Sequence, residues 1–252
     1  MKVVSVVSAK GGVGKSTVSA NLAAALQQQG HTVLAIDLDP QNGLRYHFTL
    51  EPSSMAGLVQ APQDADAWRA LIRPTESGVA LIPYGDCTEP ERQAFEAELR
   101  TDASWLISRL RDLELGHGVV VVIDTPPGPS AYMTQALTAA SLAVAVVLPD
   151  AGSYATLPQL NTLISTYCEG RDNFSGYGFV VNQVDQGQQL SKDITQVLRT
   201  TFQDRMAGLV HLDQSLSEAL AHGKNIFQYR PHSVSARDLV ACAQWVAQRL
   251  DL

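Results

Sequence analysis

A glycine-rich segment near the amino terminus constrains the fold of this chain more than any other feature. Its sequence is Ala9-Lys10-Gly11-Gly12-Val13-Gly14-Lys15-Ser16-Thr17, and it lies between an apolar run and a helix-like stretch. Glycines let the backbone turn tightly and aim successive N–H groups at phosphate oxygens, while the following helix adds its positive dipole. Residues 10–17 therefore predict a phosphate-binding loop between a strand and a helix.

Two side chains of this loop have a defined chemical task. The Lys15 ammonium is expected to reach the β- and γ-phosphates of a nucleotide, and the Ser16 hydroxyl is expected to bind Mg²⁺. Lys15 is therefore a predicted catalytic residue, and Ser16 is a predicted metal ligand.

Acidic residues follow two of the apolar runs. The segment Asp37-Leu38-Asp39-Pro40-Gln41 ends one run, and Asp124 ends the run of residues 119–123. Carboxylates beyond the carboxyl ends of neighbouring parallel strands face a phosphate site. An apolar run that ends in Asp has the Walker B form, so Asp124 is predicted to hold Mg²⁺ through water.

The fold class follows from apolar runs that alternate with helix-length segments. The runs cover residues 3–7, 32–36, 79–82, 119–123, 142–148, 177–181 and 209–212. Continuous apolar strands are typical of a parallel sheet that is buried on both faces. The pattern predicts an α/β fold with a doubly wound, mostly parallel sheet of about seven or eight strands flanked by helices. A single domain over residues 1–252 is the simplest organisation.

Three helices are predicted with definite bounds. They cover residues 17–29, one long polar helix over 89–113, and 235–252. The less regular residues 51–76 are expected to form short helices and turns outside the sheet.

Composition excludes several other classes of protein. Hydrophobic residues make up 45% of the 252 residues and charged residues 17%, which excludes a disordered chain. The three cysteines form no C-x-x-C pair, so they predict reduced thiols in a cytoplasmic protein. The longest uncharged stretch, residues 125–149, opens with three prolines and carries polar side chains, which indicates no transmembrane segment.

The net charge bears on nucleic-acid binding. Lys and Arg number 18 against 25 Asp and Glu, which gives a net charge of −7. This balance argues against a surface that binds nucleic acid everywhere, although it leaves room for a local basic patch.

The loop also departs from the ordinary P-loop, because Ala9 replaces a glycine and Lys10 precedes the glycine pair. The pattern Lys-Gly-Gly-x-Gly-Lys-[Ser/Thr] resembles the deviant Walker A ATPases of the MinD/ParA family, and the resemblance covers nearly the whole chain. It implies ATP and Mg²⁺ as cofactors and a homodimer with ATP sandwiched between its subunits. Lys10 matches the family lysine that crosses the interface to the partner's ATP, where a cation stabilises charge on the transferring phosphoryl group.

The same resemblance assigns roles to two further positions, Asp39 and Asn182. Asp39 matches the residue that orients or activates the attacking water and touches the Mg²⁺ shell, while Asp37 is expected to support it by hydrogen bonds. Asn182, at the end of the sixth apolar run, matches the residue that reads adenine, and its amide can both donate and accept. A turn-forming Asn at a strand end remains the alternative for Asn182.

The biological task is a separate question, and three local matches address it. Asp66-Ala67-Trp68-Arg69, Val79-Ala80-Leu81-Ile82-Pro83-Tyr84-Gly85 and Phe227-Gln228-Tyr229-Arg230 resemble the BcsQ (YhjQ) branch of the family. That branch is encoded with bacterial cellulose synthase. The resemblance implies protein partners in a cellulose synthase or secretion complex, with peripheral placement at the inner membrane or cell pole through those partners.

Other tasks stay open. A ParA-like DNA-partitioning ATPase needs a basic dimer face, for which the candidates are Arg199, Arg205, Lys224, Arg230, Arg237 and Arg249. A MinD-like divisome regulator needs a basic amphipathic membrane helix, and the last predicted helix, which balances basic with acidic residues, disfavours it. A module that binds ATP and scarcely hydrolyses it is the alternative to an enzyme.

Overall fold

The predicted α/β architecture is confirmed by an eight-stranded sheet with helices on both faces. The computed structural model describes residues 1–49, 55–61 and 65–252 of the chain. The strands are β1 (Lys2–Val7), β2 (Thr32–Asp37), β3 (Arg73–Pro74), β4 (Ala80–Ile82), β5 (Val119–Asp124), β6 (Leu142–Val147), β7 (Tyr177–Val184) and β8 (Met206–His211).

Strand β1 lies inside the sheet, and this position determines where the phosphate-binding loop lies. The strand order is β3-β4-β2-β5-β1-β6-β7-β8, and each neighbouring pair is parallel except β3 with β4. The chain leads from β1 to β2 on one side and later returns through β6 on the other. Doubly wound sheets bind ligands in the crevice beyond the carboxyl ends of the strands at such a reversal. The loop that follows β1 lies in this crevice.

Helices cover both faces of the sheet because the central strands carry apolar side chains on both faces. Val4 and Val6 of β1 pack into the core on one face, and Val3 and Val7 pack into cores on the other. None of the helices in the described ranges is both long and apolar enough to cross a membrane. The helices are α1 (Lys15–Gln28), α2 (Ala65–Leu71), α3 (Glu89–Thr101), α4 (Trp105–Asp112), α5 (Ala131–Ala139), α6 (Ala151–Cys168), α7 (Gln189–Phe202), α8 (Gln214–Ala221), α9 (Ile226–Tyr229) and α10 (Val234–Leu250).

The prediction of one long helix over residues 89–113 is wrong, because residues 102–104 interrupt the helix between α3 and α4. The Asp102 carboxylate accepts hydrogen bonds from the backbone N–H and the hydroxyl of Ser104, at 2.9 and 2.7 Å. Such local bonds compete with the helical pattern. The buried amide of Gln135 on α5 then accepts from the N–H of Leu106, at 3.0 Å, and donates to the carbonyl of Leu99, at 2.9 Å. These bonds satisfy backbone groups at the break.

The expectation for residues 51–76 holds in part. Residues 51–54 and 62–64 lie outside the described residues. Helix α2 and a 3₁₀ turn at Leu58–Gln60 agree with the expectation of short helices. Strand β3 contradicts the expectation that the segment stays outside the sheet, because Arg73 and Pro74 pair antiparallel with β4. A two-residue strand that contains a proline has no apolar periodicity by which the sequence could reveal it.

Helix α10 approaches the edge of the sheet at two glycines. A Cβ atom at Gly178 on β7 would overlap the ring of Trp245, and a Cβ at Gly208 on β8 would overlap the sulfur of Cys242. Both partners belong to α10, and Cys242 is buried. The absence of side chains at these glycines therefore sets how closely α10 packs against β7 and β8.

We expect Gly208→Ala to lower the free energy of unfolding by about 1–3 kcal/mol, because the added methyl group overpacks the contact with Cys242. Urea unfolding of the purified chain measures this change. Gly118→Ala is the matched control, since a Cβ at Gly118 meets no atom within 4 Å. The double variant Gly208→Ala with Cys242→Ala should lose less free energy of unfolding than the two single variants lose together. Equal stability of Gly208→Ala and the parent chain would contradict the close packing of α10.

Candidate functional site

The phosphate-binding loop forms the predicted cradle between β1 and α1. Gly12 and Gly14 adopt left-handed backbone conformations, with φ of 76° and 77°. Such conformations favour glycine, and they are typical of loops whose successive backbone N–H groups bind an anion. The loop surrounds a cavity of ≈ 230 Å³ that is lined by Ser8, residues 10–17, Asp39 and Pro127. The structure therefore brings Asp39 to the predicted phosphate loop.

Asp124 is the centre of the hydrogen bonds below this loop. Its side chain is fully buried, and its Oδ1 atom lies 3.0 Å from the Lys15 ammonium. The hydroxyl of Ser16 donates to Oδ2 at 2.6 Å, and the hydroxyl of Ser19 donates to Oδ1 at 2.8 Å. A buried carboxylate needs a cation and hydrogen-bond donors around it, and these three side chains provide them. Lys15, Ser16 and Asp124 therefore lie together, as the sequence predicts.

The end of β2 places Asp37 and Asp39 in different environments. Asp37 is fully buried, and its two oxygens accept from the N–H groups of Asp39 and Leu44, each at 2.9 Å. Burial and the charge of Asp124 raise the pKa of Asp37 to about 8, against the effect of these hydrogen bonds. This geometry gives Asp37 the contacts expected of a support for Asp39.

Asp39 lies nearer the cavity than Asp37. Its Oδ1 atom accepts from the N–H of Gln41 at 2.9 Å, which fixes the turn after β2. Burial raises the pKa of Asp39, while the hydrogen bond from Gln41 and the charge of Lys15 act in the opposite direction.

The donor set around the loop fits a magnesium ion. The Ser16 hydroxyl and the Asp39 carboxylate reach the same cavity, and Asp124 lies directly behind Ser16. Mg²⁺ prefers oxygen ligands, and it usually takes one or two carboxylates together with phosphate oxygens and water. The hydroxyl and the carboxylates of this site are ligands of that kind.

Lys10 is held by a carboxylate of its own chain. Its ammonium lies 3.3 Å from Oδ2 of Asp150, and the two side chains are 36% and 42% exposed. Asp150 also caps α6 by accepting from the N–H of Ser153. Burial raises the pKa of Asp150, but the bonds from Ser153 and Lys10 outweigh it and lower the pKa. A Cβ at Gly152 would lie 2.7 Å from the Lys10 ammonium, so a side chain there would displace the end of the lysine.

Asn182 is buried against the phosphate-binding loop. Its amide nitrogen donates to the carbonyl of Val13 at 2.8 Å, and it leaves no room for a side chain at Gly14. This contact gives Asn182 a role in holding the loop, which the sequence interpretation does not include. Its role in reading adenine remains a prediction.

A second cavity of ≈ 200 Å³ adjoins the loop at Gly14 and Thr17. We call it the base cavity. Its walls come from the ends of β7 and β8 and from α8, and they comprise Gly14, Thr17, Asn182, Gln183, His211, Leu212, Asp213, Leu216, Ser217 and Leu220. Its position beside the phosphate loop suits the remainder of a nucleotide.

Sequence reasoning missed three residues of the site. Ser19 lies one helical turn after Lys15, and Asp150 follows the buried strand β6 just as Asp37 and Asp124 end theirs. Spacing along a helix and the rule of carboxylates at strand ends could have identified both. Gln183 lines the base cavity with a φ of 57°, at an irregularity in the pairing of β7 with β8. No local sequence pattern predicts a left-handed backbone conformation at Gln183.

Known proteins resemble this chain over almost its full length. A family model described as cellulose biosynthesis protein BcsQ matches residues 1–247. The cellulose biosynthesis protein BcsQ of Escherichia coli (strain K12) is 28% identical over 246 residues, which cover 97% of this chain and 94% of that protein. The chromosome-partitioning ATPase Soj of Thermus thermophilus is 30% identical over 246 residues, which cover 96% and 93%.

Solved structures give the same fold. The septum site-determining protein MinD of Pyrococcus horikoshii, complexed with Mg-ADP, superposes with a TM-score of 0.74 at 20% identity, and the match covers 97% of this chain and 95% of that chain. The similarity in fold is consistent with the Lys-Gly-Gly-x-Gly-Lys-Ser pattern of the phosphate loop. The family model covers both this loop and the carboxyl-terminal half of the chain. The chain therefore belongs to the BcsQ family, within the P-loop ATPases of the MinD/ParA type.

Proposed function

We propose that this chain is an ATPase that dimerises on Mg·ATP and acts as a switch in bacterial cellulose synthesis or secretion. The observation that carries the proposal is the cluster of Lys15, Ser16 and Asp124 beneath a glycine-rich loop that also bears Lys10. The BcsQ family match supports the cellulose-related task.

The chain offers a residue for each part of Mg·ATP. Residues 11–17 would hold the phosphates, and Lys10 would reach the phosphates of the partner's ATP. Ser16 and Asp39 would bind the ion or its waters, and Asp124 would hold it through water. The bound ion would neutralise charge on the phosphate oxygens. The base cavity would take the adenosine part, with Asn182 at its boundary with the loop.

Hydrolysis requires a group that positions water opposite the leaving phosphate. Asp39 reaches the loop cavity, and burial raises its pKa toward the range in which a carboxylate accepts a proton more readily. Lys15 would stabilise charge on the phosphate oxygens during transfer. We therefore assign the catalytic roles to Asp39, Lys15 and, from the partner subunit, a second copy of Lys10.

Dimerisation would transfer Lys10 from Asp150 to the nucleotide of the partner. The pair that must break is partly exposed, and ion pairs of this kind contribute about 0–1 kcal/mol. The phosphates of ATP offer a stronger electrostatic partner than a single exposed carboxylate. Nucleotide can therefore determine whether two copies associate, and hydrolysis would release them.

Two other functions remain as outcomes of the tests below. The identity to Soj of Thermus thermophilus favours a DNA-partitioning ATPase as the second candidate. A module that binds ATP with negligible hydrolysis is the third. In the cellulose-related function, the dimer would act in the cytoplasm, and protein partners of a synthase or secretion complex would recruit it to the inner membrane or cell pole.

Lys15→Ala should abolish nucleotide binding, with a rise in Kd of about a hundredfold or more, because it removes the charge-assisted contact to the phosphates. Binding of a fluorescent ATP analogue measures the effect, and Lys192→Ala on the exposed surface of α7 is the control. The change also leaves Asp124 without its cation, at a cost of about 3–5 kcal/mol, so both variants are first checked for folding. A folded Lys15→Ala variant with unchanged affinity would contradict the site.

Asp39→Ala should bind ATP, stop turnover and accumulate as a dimer, because the group that positions water is lost while the phosphate contacts remain. Light scattering with Mg·ATP gives the mass of the complex, and the parent chain with ADP is the control. A variant that stays monomeric with Mg·ATP would exclude the nucleotide-sandwich dimer.

The same trapped dimer separates the cellulose-related and partitioning functions. We would titrate it onto non-specific duplex DNA at several salt concentrations. Binding with a steep salt dependence would indicate phosphate contacts and counterion release, and it would favour the partitioning function. A dimer that ignores DNA even at low salt would support a switch that acts on protein partners.

Lys10→Ala should bind ATP with an affinity within about twofold of the parent, yet fail to dimerise or turn over, because its cation acts in the partner's site. Asp150→Asn is the matched comparison, since it breaks the same ion pair but keeps the lysine. We expect Asp150→Asn to dimerise with Mg·ATP. Single-turnover hydrolysis and light scattering measure both variants, and normal turnover by Lys10→Ala would remove Lys10 from the mechanism.

A further inference from the structure

The loop that follows β8 forms one wall of the base cavity and is tied to α10. The backbone N–H of His211 donates to Oδ2 of Asp238 at 2.9 Å, and ring atom Nδ1 of His211 lies 2.8 Å from the same oxygen. Asp238 lies on the first turns of α10. A single carboxylate oxygen therefore holds both the backbone and the side chain of the last residue of β8.

The ring of His211 also reaches the loop after β7. Its Nε2 atom lies 2.7 Å from Nε2 of Gln186. Both ring contacts are satisfied when Nδ1–H donates to Asp238 and Nε2 accepts from the amide of Gln186. The imidazole thus joins the loop after β7 to the end of β8, beside Asn182, Gln183 and Leu212 of the base cavity.

Asp213 provides a second connection between this loop and α10. Its carboxylate accepts from the N–H of Ser215 at 2.9 Å and from the hydroxyl and N–H of Ser235 at 2.8 and 3.2 Å. Burial raises the pKa of Asp213, but the bonds from Ser215 and Ser235 outweigh it and leave the pKa at about 2. The loop is consequently bound to the start of α10 at both of its ends.

Helix α10 is fixed in turn relative to the phosphate loop. It packs along α1, and the amide of Gln29 donates to the carbonyl of Val240 at 3.4 Å. Helix α1 begins with Lys15 and Ser16. The wall of the base cavity is therefore attached, through one helix, to the element that carries the phosphate-binding side chains.

We propose that Asp238, acting through His211, is a positioning residue that holds the wall of the base cavity for the nucleoside part of the nucleotide. The inference rests on the proposed function, because it takes the cavity as the place of the base. A wall that is already ordered reduces the conformational entropy lost on binding. The effect should appear in affinity for the nucleoside and not in the chemistry at the phosphates.

The test compares two ligands that share a triphosphate. Asp238→Asn keeps the size of the side chain but replaces a carboxylate by an amide that cannot accept charge-assisted bonds from both His211 groups. We expect its Kd for ATP to rise about tenfold, while its Kd for inorganic tripolyphosphate and its kcat with saturating ATP stay within about twofold. Calorimetric titration with Mg²⁺ and each ligand gives the two affinities.

A matched control acts on the same helix at its other end. Asp204→Asn removes the carboxylate charge that faces Arg249 on the last turn of α10 and keeps the bond from Arg249 to the backbone carbonyl of residue 204. Its affinities for both ligands should equal those of the parent chain. His211→Gln is the second test variant if Asp238→Asn folds poorly, since it keeps the backbone N–H that donates to Asp238. It should weaken ATP binding without affecting tripolyphosphate.

Each outcome decides the proposal. A loss confined to ATP supports it, whereas equal losses for ATP and tripolyphosphate would mean that Asp238 only stabilises the fold. Unchanged ATP affinity in both variants would also overturn it. If the parent chain binds ATP and tripolyphosphate with equal affinity, the nucleoside contributes nothing to binding. That result would reject the assignment of the base cavity but not the proposed function. A parent chain that binds neither ligand would reject the proposed function itself.

Discussion

The fully buried carboxylate of Asp124 is the constraint on which the rest of the site depends. An ionised group in this position is tolerated only when a cation and hydrogen-bond donors surround it. Lys15, Ser16 and Ser19 meet that need, and all three come from the first turns of α1. Strand β5 must therefore lie beside β1, and α1 must start directly after the loop. The same contacts hold the lysine and the hydroxyl beside the cavity that the loop surrounds.

Features that depend on neighbouring residues in the sequence were predictable. The glycine-rich loop, the apolar strands and the carboxylates at their ends are each local patterns, and parallel pairing brings them to one edge. The break between α3 and α4 was not predictable in the same way, because Gln135 on a different helix accepts the hydrogen bond from a backbone N–H group at the break. Strand β3 is too short to carry a periodic pattern. The contact of Asn182 with Val13 joins residues far apart in the chain, so only the folded arrangement reveals it.

The two halves of the site differ in how they are built. The phosphate side uses backbone geometry and a few charges within a short stretch of sequence. The base cavity is assembled from the ends of β7 and β8 and from α8, and its outer wall depends on contacts to α10. Glycines at positions 178 and 208 allow α10 to lie close enough to make those contacts. Packing at the sheet edge and the shape of the base cavity are therefore linked.

The ion pair of Lys10 with Asp150 also has an evolutionary consequence. A side chain at residue 152 would crowd the flexible end of this lysine, while Asp150 also caps α6 independently of the lysine. Positions 10, 150 and 152 thus form one steric and electrostatic unit with unequal constraints. In a descendant that lost the lysine, the aspartate would still be retained for the helix, whereas the glycine would be free to drift.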